Sequence, residues 1–155
     1  MKKIKIVVVG LGYVGLSNAL LLAQKNKVTA VDIDIDKVTL INEKKIPLSA
    51  QEMNSFLAND TLDLKAALPS DEFFENSDVA LISTPTNYDE NTNCFNTDSV
   101  EVTIKNALTK NPNITIIIRS TVPVGFTDKM IEKYQTNDIY FVPEFLREGR
   151  ALNDS

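Results

Sequence analysis

The amino-acid sequence predicts an α/β domain with a doubly wound, mostly parallel sheet of about six strands and helices on both faces. Short apolar runs alternate with segments of helical character along the chain. The first run, Ile4 to Val9, is rich in β-branched residues, which is typical of a strand buried on both faces. Several runs end in glycines or polar residues, as strands do at the ligand-binding edge of an open parallel sheet.

Composition restricts the class of protein. The chain has 155 residues, 43% hydrophobic and 24% charged, so we expect one globular domain over residues 1–155. No apolar run approaches the roughly 18 residues of a membrane span, and Lys2-Lys3 does not open a signal peptide, so we expect a cytoplasmic protein without a membrane partner. The net charge of −5 and the scattered basic residues argue against binding to nucleic acid.

Histidine and cysteine, which often carry chemistry, are scarce. The chain contains no histidine, which removes the commonest general base and metal ligand. Cys94 is the only cysteine, so an intrachain disulfide and a cysteine-based zinc site are excluded. We therefore predict no metal site, and proton transfer would use carboxylates, lysine, tyrosine or water.

A glycine motif follows the first strand. Gly10, Gly12 and Gly15 form G-x-G-x-x-G, and strong helix formers begin at Leu16. In a dinucleotide site the three glycines make a tight turn, admit a pyrophosphate and let helix and strand pack closely, while the helix N-terminus attracts the anion. Such a motif alone is weak evidence, because glycines also serve ordinary turns.

The second apolar run strengthens this interpretation. It spans Val28 to Val31 and ends in Asp32, about 20 residues after the middle glycine, where a ribose-binding carboxylate is expected. A carboxylate there would repel a 2′-phosphate, which favours NAD over NADP, although FAD-binding proteins share this opening. Asp34 or Asp36 would cap the next helix, and Lys37 lies either beside the ribose or in solvent.

The middle of the chain offers little chemistry. Pro47 closes the second helix, residues 50–59 suggest a short polar-faced helix, residues 62–64 a short strand, and residues 69–76 one or two helical turns. The next core strand, Val79 to Ser83, ends in Thr84-Pro85-Thr86-Asn87-Tyr88. This polar segment lines the ligand crevice or forms a plain turn on Pro85. Residues 89–97 are predicted to be an exposed loop, in which Cys94 is a surface thiol rather than a nucleophile.

The second half repeats the pattern of strand, polar tip and helix. A helix capped by Thr97 or Asp98 runs to about Lys110, and the strand at residues 114–118 delivers Arg119-Ser120-Thr121 to the same edge of the sheet. A further helix ends near Tyr134. The last strand, residues 139–142, precedes Pro143 to Gly149.

These motifs together carry a family resemblance. The chain resembles the N-terminal, NAD-binding Rossmann domain of the nucleotide-sugar dehydrogenase family, and within it the UDP-glucose 6-dehydrogenases. The matching segments, in the family's order, are Gly10-Leu11-Gly12-Tyr13-Val14-Gly15-Leu16, Val31-Asp32-Ile33, Ser83-Thr84-Pro85-Thr86-Asn87-Tyr88, Ser120-Thr121-Val122-Pro123-Val124-Gly125 and Pro143-Glu144-Phe145-Leu146-Arg147-Glu148.

The resemblance implies both an activity and a set of site residues. The family oxidises the C6 alcohol of a nucleotide sugar, here UDP-glucose, to a carboxylate in two hydride transfers to NAD, through a thiohemiacetal and a thioester on a cysteine. The residues implied to bind NAD are Gly10, Gly12, Tyr13, Val14 and Gly15 at the pyrophosphate, Asp32 and Lys37 at the adenosine ribose, Thr84 and Thr121 on the nicotinamide side, and Pro85, Thr86, Ser120 and Glu148 at further contacts.

The implied catalytic residues are Thr121 and Glu148, which would position a water and handle protons. Contacts to the sugar nucleotide are implied for Glu144, Phe145, Leu146, Arg147 and Glu148. Without the resemblance, Glu144 and Glu148 would be one face of a helix and Arg147 part of a solvated ion pair.

The family's nucleophilic cysteine, its other catalytic residues and its dimerisation and sugar-binding domains correspond to none of these segments. We therefore expect this chain to bind NAD without turnover, as part of a homodimeric parent enzyme. Two alternatives remain: a dehydrogenase of UDP-N-acetylmannosamine, UDP-N-acetylglucosamine or GDP-mannose, and an NAD-binding module without chemistry.

Overall fold

The structure, a computed structural model, describes residues 3–47, 51–57, 61–90 and 93–145. The helices are α1 (Tyr13–Ala23), α2 (Ile35–Asn42), α3 (Gln51–Leu57), α4 (Glu72–Glu75), α5 (Asp98–Lys110) and α6 (Phe126–Tyr134). The strands are β1 (Lys5–Val9), β2 (Lys27–Val31), β3 (Leu64–Ala67), β4 (Val79–Ile82), β5 (Tyr88–Asp89), β6 (Cys94–Phe95), β7 (Thr115–Ile118) and β8 (Ile139–Phe141).

Six of these strands form one sheet in the order β3-β2-β1-β4-β7-β8, and every neighbouring pair is parallel. The predicted doubly wound fold is therefore confirmed. Strand β1 lies near the middle of the sheet, with Val7 opposite Thr29 of β2 and Ala80 of β4. This position explains its unbroken apolar sequence, because a strand covered on both faces has no side that faces water.

The chain reverses its winding direction between β1 and β4. From β1 the strands proceed outward through β2 to β3, and from β4 they proceed to the opposite edge through β7 and β8. The connections that leave the carboxyl ends of β1 and β4 consequently diverge, which opens a crevice at that edge of the sheet. The topology thus selects the place where a ligand is expected.

Helices cover both faces and form two cores. Successive residues of a strand point to opposite faces, and accordingly Ile6 and Val8 of β1 belong to one core and Val7 to the other. The first core is completed mainly by α1, α2 and α3, and the second by α4, α5 and α6. Within the described ranges, no helix is both long and apolar enough to cross a membrane.

Several predicted boundaries are wrong in detail. Helix α1 begins directly after Gly12 rather than at Leu16. Helix α2 ends at Asn42, before the predicted end at Pro47, and Lys44, two residues later, has a left-handed conformation (φ 59°). The strand expected at residues 62–64 lies at residues 64–67, because pairing with β2 sets its register. The prediction of Asp34 as a cap is confirmed, since its side chain accepts hydrogen bonds from the N–H groups of Asp36 and Lys37.

The exposed loop expected at residues 89–97 contains structure as well. Strands β5 and β6 pair in antiparallel fashion, with Tyr88 opposite Phe95. Their rings pack edge to face, with centroids 5.3 Å apart, and Asn93 supplies a left-handed turn residue. Cys94 is an exposed free thiol on this hairpin, as expected for a surface residue.

Candidate functional site

A cavity of about 1170 Å³ lies along the crevice between the two halves of the sheet. Its walls come from the glycine turn after β1, the ends of β2 and β4, α4 with the turn before it, and one side of α5. This volume is slightly above the range of about 300–1,000 Å³ that is usual for small-molecule sites. The cavity therefore has room for an elongated ligand that crosses the sheet from β2 to β4.

The glycine turn is shaped by two close backbone approaches and one open position. A Cβ atom on Gly15 would lie 1.8 Å from the carbonyl oxygen of Gly10, and one on Gly10 would lie 2.5 Å from that of Ser83. Gly10 also has a φ of 93°, which favours glycine. At Gly12, by contrast, a Cβ atom would meet nothing within 4 Å. Gly12 is thus bare toward the cavity, which it lines.

The N-terminus of α1 faces this open position. Gly12 is the N-cap, and no side chain caps the helix there. Tyr13 and Val14, the first two residues of α1, line the cavity. The N-terminal N–H groups of a helix have no intrahelical acceptor, and the helix dipole adds positive potential there. This arrangement suits an anion such as a pyrophosphate.

Asp32 follows β2 and contacts the glycine turn directly. Its Oδ2 atom accepts a hydrogen bond of 2.7 Å from the N–H of Leu11, and its Oδ1 atom accepts one of 3.0 Å from the N–H of Asp34. The Nζ atom of Lys37 lies 3.5 Å from Oδ2. The Asp32 side chain is 10% exposed, and both residues line the cavity. The carboxylate is therefore fixed at the end of the cavity where an adenosine ribose is predicted.

The loop after β4 forms the opposite part of the cavity. Ser83, Thr84 and Pro85 line it, and the buried Oγ atom of Ser83 has no hydrogen-bond partner within the described part of the chain. A buried hydroxyl without a partner is costly unless a ligand or water satisfies it. Ser120, after β7, is buried, and its hydroxyl donates to the carbonyl oxygen of Thr84 at 2.7 Å.

Two charged side chains meet where β7 and β8 end. The Arg119 guanidinium forms an ion pair with the Glu144 carboxylate, and the side chains are 12% and 9% exposed. Burial lowers the pKa of the Arg119 guanidinium. Glu144 lines the cavity, and the ion pair with Arg119 holds its carboxylate in place. Its predicted contact with a sugar nucleotide stays a prediction.

The structure brings together only part of the predicted site. Thr86, Ser120 and Thr121 are not among the described residues that line the cavity, and Thr121 is exposed at the same sheet edge. Phe145 is 88% exposed. Leu146, Arg147 and Glu148 lie outside the described residues. The assignments of all these residues stay predictions.

Sequence reasoning missed a second group of cavity residues. They come from the turn before α4, α4 itself and the inner side of α5, and they are Pro69, Ser70, Asp71, Phe73, Phe74, Ser99, Val102, Thr103 and Asn106. Ser99 is 2.9 Å from Thr84, between their hydroxyl oxygens. The available signal was that α5 follows the polar tip of β4, which places its first turns over the crevice.

Comparison with known proteins identifies the family. The sequence profile of the "UDP-glucose/GDP-mannose dehydrogenase family, NAD binding domain" matches residues 4–155. The chain belongs to this family. It is 44% identical, over 97% of its length, to the UDP-glucose 6-dehydrogenases of Streptococcus pneumoniae and Campylobacter jejuni. The predicted family and NAD-binding domain are thereby confirmed.

Solved structures of the family share the fold. A ternary complex of GDP-mannose dehydrogenase from Pseudomonas aeruginosa superposes with a TM-score of 0.82 at 28% identity and covers 96% of this chain. The chain spans 38% and 39% of the two curated relatives and 38% of the chain in that complex. The similarity thus concerns one domain of a longer protein in each case.

The residues of the cavity fit the NAD that this family of domains binds. The open space at Gly12 is suited to a pyrophosphate. The Asp32 carboxylate lines the cavity beside Lys37. The buried Ser83 hydroxyl has no hydrogen-bond partner within the described residues, so a bound ligand could supply one. No group of three or more His, Cys, Asp or Glu residues arranged to hold a metal occurs in the described ranges.

Proposed function

We propose that this chain is the NAD-binding part of a cytoplasmic UDP-glucose 6-dehydrogenase, which converts UDP-glucose to UDP-glucuronate. The observation that carries this proposal is the 44% identity to two UDP-glucose 6-dehydrogenases across 97% of the chain. The GDP-mannose dehydrogenase, by comparison, shares 28% identity. The matched region includes both halves of the sheet, because it covers 97% of the chain.

In this proposal the cavity residues bind and orient NAD, which supplies the hydride acceptor when bound. The helix N-terminus at Tyr13 and Val14 holds the pyrophosphate. Asp32 accepts hydrogen bonds from the ribose hydroxyls, and Lys37 lies beside it. A 2′-phosphate would face the Asp32 carboxylate, which supports a preference for NAD over NADP. We assign to the nicotinamide side Thr84, which lines the cavity, and Thr121, which is exposed at the same sheet edge.

Proton transfer in the proposal depends on Glu148 with Thr121. A carboxylate that is partly removed from water can have its pKa raised toward the range of a useful base. Glu144, Phe145, Leu146 and Arg147 would contact the sugar nucleotide. Support for this comes from the position of Glu144, which lines the same cavity as Thr84 and whose carboxylate is paired with Arg119.

We infer that the nucleophilic cysteine lies outside this span, in the further length that the relatives have. Cys94 is an exposed thiol on the β5–β6 hairpin and does not line the cavity. The 155-residue chain alone is therefore expected to bind NAD without oxidising a sugar. The dimerisation and sugar-binding domains, and the homodimer itself, belong to the proposed parent.

The test is NADH formation by the native-length protein offered UDP-glucose, UDP-N-acetylmannosamine and GDP-mannose in parallel. Two NADH formed per UDP-glucose consumed would support the substrate and the four-electron oxidation. Turnover of another sugar would move the assignment within the family. NAD binding without turnover of any sugar would favour a binding module. Steady NADH production by the 155-residue chain, abolished by Cys94→Ser, would contradict the inferred location of the nucleophile.

A further inference from the structure

Ser99 connects the first turn of α5 with the loop after β4. Its Oγ atom lies 2.9 Å from Oγ1 of Thr84 and 3.0 Å from the carbonyl oxygen of Pro85. Ser99, Thr84 and Pro85 all line the cavity. One half-buried hydroxyl therefore contacts both residues that follow Ser83 at the edge of the site.

The Ser99 hydroxyl has no visible role in starting its own helix. The N-cap of α5 is Thr97, which makes no capping hydrogen bond to the backbone and whose hydroxyl instead meets the Glu101 carboxylate at 3.2 Å. The N–H of Asp98 is satisfied by the Asn96 side chain. Serine caps a helix from the N-cap position, but Ser99 lies two residues after it, and its hydroxyl contacts the loop after β4.

Thr84 is held from a second direction through its backbone. The Ser120 hydroxyl, buried after β7, donates to the Thr84 carbonyl oxygen at 2.7 Å. The backbone of Thr84 is thus fixed from the β7 side, and its hydroxyl is contacted from the α5 side. With these two contacts in place, the property still to be assigned is the direction in which the Thr84 hydroxyl hydrogen points.

Counting hydrogens fixes that direction. A serine hydroxyl has one hydrogen to donate, and the Pro85 carbonyl oxygen can only accept. Both contacts of Ser99 are satisfied together when Ser99 donates to Pro85 and accepts the hydrogen of Thr84. Thr84 then has no hydrogen left for a ligand, and its Oγ1 atom offers lone pairs to the cavity.

We propose that Ser99 is a positioning residue that holds the Thr84 hydroxyl as a hydrogen-bond acceptor for an N–H group of the bound cofactor. The matching donor on the nicotinamide side is the carboxamide, which carries two N–H hydrogens. This inference rests on the proposed function, because it assumes that the nicotinamide lies on the Thr84 side of the cavity.

The experiment compares three ligands on the native-length protein by isothermal titration calorimetry. They are NAD, the 3-acetylpyridine analogue of NAD, in which a methyl ketone replaces the amide, and ADP-ribose, which lacks the nicotinamide. The variants are Ser99→Ala, Thr84→Val, the double variant, and Ser99→Thr, which keeps a hydroxyl. Thermal unfolding of each variant checks the fold.

We expect Ser99→Ala to weaken NAD binding about three- to tenfold, the loss of one hydrogen bond. Binding of the ketone analogue and of ADP-ribose should stay within about twofold, and the double variant should lose no more than Thr84→Val alone. Ser99→Thr, which keeps the hydroxyl, should bind NAD with the affinity of the unmutated protein.

Equal weakening of all three ligands would overturn the inference, because it would show a merely structural role for Ser99. Unchanged NAD affinity in Ser99→Ala would overturn it as well. Failure of the unmutated protein to bind NAD would refute the proposed function itself, and the two failures are therefore distinguishable.

Discussion

The Asp32 carboxylate accepts a 2.7 Å hydrogen bond from the N–H of Leu11, in the middle of the glycine turn. The residue predicted to hold the adenosine ribose therefore also holds the loop predicted to hold the pyrophosphate. Because the contact joins the ends of β1 and β2, the two predicted halves of the adenosine diphosphate site are mechanically connected. Substitutions at Asp32 consequently test both the turn and the ligand contact.

Asp32→Ala should weaken NAD binding by about 1–3 kcal/mol, because it removes an acceptor from the ribose and leaves the Leu11 N–H without its partner. Asp32→Asn is the matched control, since its amide oxygen can still accept from Leu11 while the negative charge is lost. The Asp32→Asn variant should therefore keep more thermal stability than the Asp32→Ala variant, and it should show a smaller preference for NAD over NADP. Titration calorimetry measures the affinities for NAD and NADP. Equal affinity of the unmutated chain for the two cofactors would contradict the assignment of Asp32 to the adenosine ribose.

Substitution by alanine is expected to have different effects at Gly12 and Gly15: at Gly12 it should weaken NAD binding, and at Gly15 it should destabilise the fold. Gly12→Ala should cost less than about 1 kcal/mol of folding free energy, since the new methyl group meets nothing within 4 Å. It should nevertheless weaken NAD at least about tenfold, because the methyl group occupies the space left for the pyrophosphate.

Gly15→Ala should instead destabilise the fold by about 3 kcal/mol or more, because its methyl group would overlap the Gly10 carbonyl oxygen. Urea unfolding and NAD titration of both variants separate the two effects. A stable Gly12→Ala chain with unchanged NAD affinity would remove the pyrophosphate from this turn.

The fold and the centre of the site were predictable from local patterns. The buried run before Gly10, the spacing to Asp32 and the polar tips after the later strands all follow from rules that act within about 20 residues of sequence. Ser99 and Phe73 were not predictable in the same way. Whether a residue of α4 or α5 faces the cavity depends on how the helix is rotated against the sheet, which packing decides.

The Arg119–Glu144 pair illustrates the same limit. Each residue was recognised at the end of a strand, but their contact depends on β7 and β8 being neighbours. The pairing of β5 with β6 was missed for a related reason, because two-residue strands carry no periodicity. The pairing of Tyr88 with Phe95 becomes visible only in three dimensions.

Glu148→Gln tests the division between cofactor binding and chemistry. If Glu148 handles protons, the substitution should leave the NAD affinity of this chain nearly unchanged, because the amide keeps the size and part of the hydrogen bonding of the carboxylate. In the native-length protein the same substitution should lower kcat by about 100-fold or more. Calorimetry and steady-state kinetics measure the two properties. A large loss of NAD binding would show that the catalytic role is misassigned.

Arg119→Met should destabilise the chain by about 3–5 kcal/mol, since it leaves the buried Glu144 carboxylate without its counter-charge. The double variant Arg119→Met/Glu144→Gln should recover part of this loss, because no unpaired charge remains. Lys45→Met is the matched control: Lys45 forms a 2.8 Å ion pair with Glu43, but both side chains are at least half exposed, so its cost should stay below about 1 kcal/mol.

Urea unfolding of the unmutated chain, Arg119→Met, Glu144→Gln and the double variant gives a double-mutant cycle for the pair. A coupling free energy of at least about 1 kcal/mol is expected between two residues in direct contact, whereas strictly additive effects would show that the guanidinium and the carboxylate do not stabilise each other. NAD titration of Glu144→Gln then separates folding from the site. Because this carboxylate is predicted to contact the sugar nucleotide rather than NAD, its loss should leave NAD affinity within about twofold.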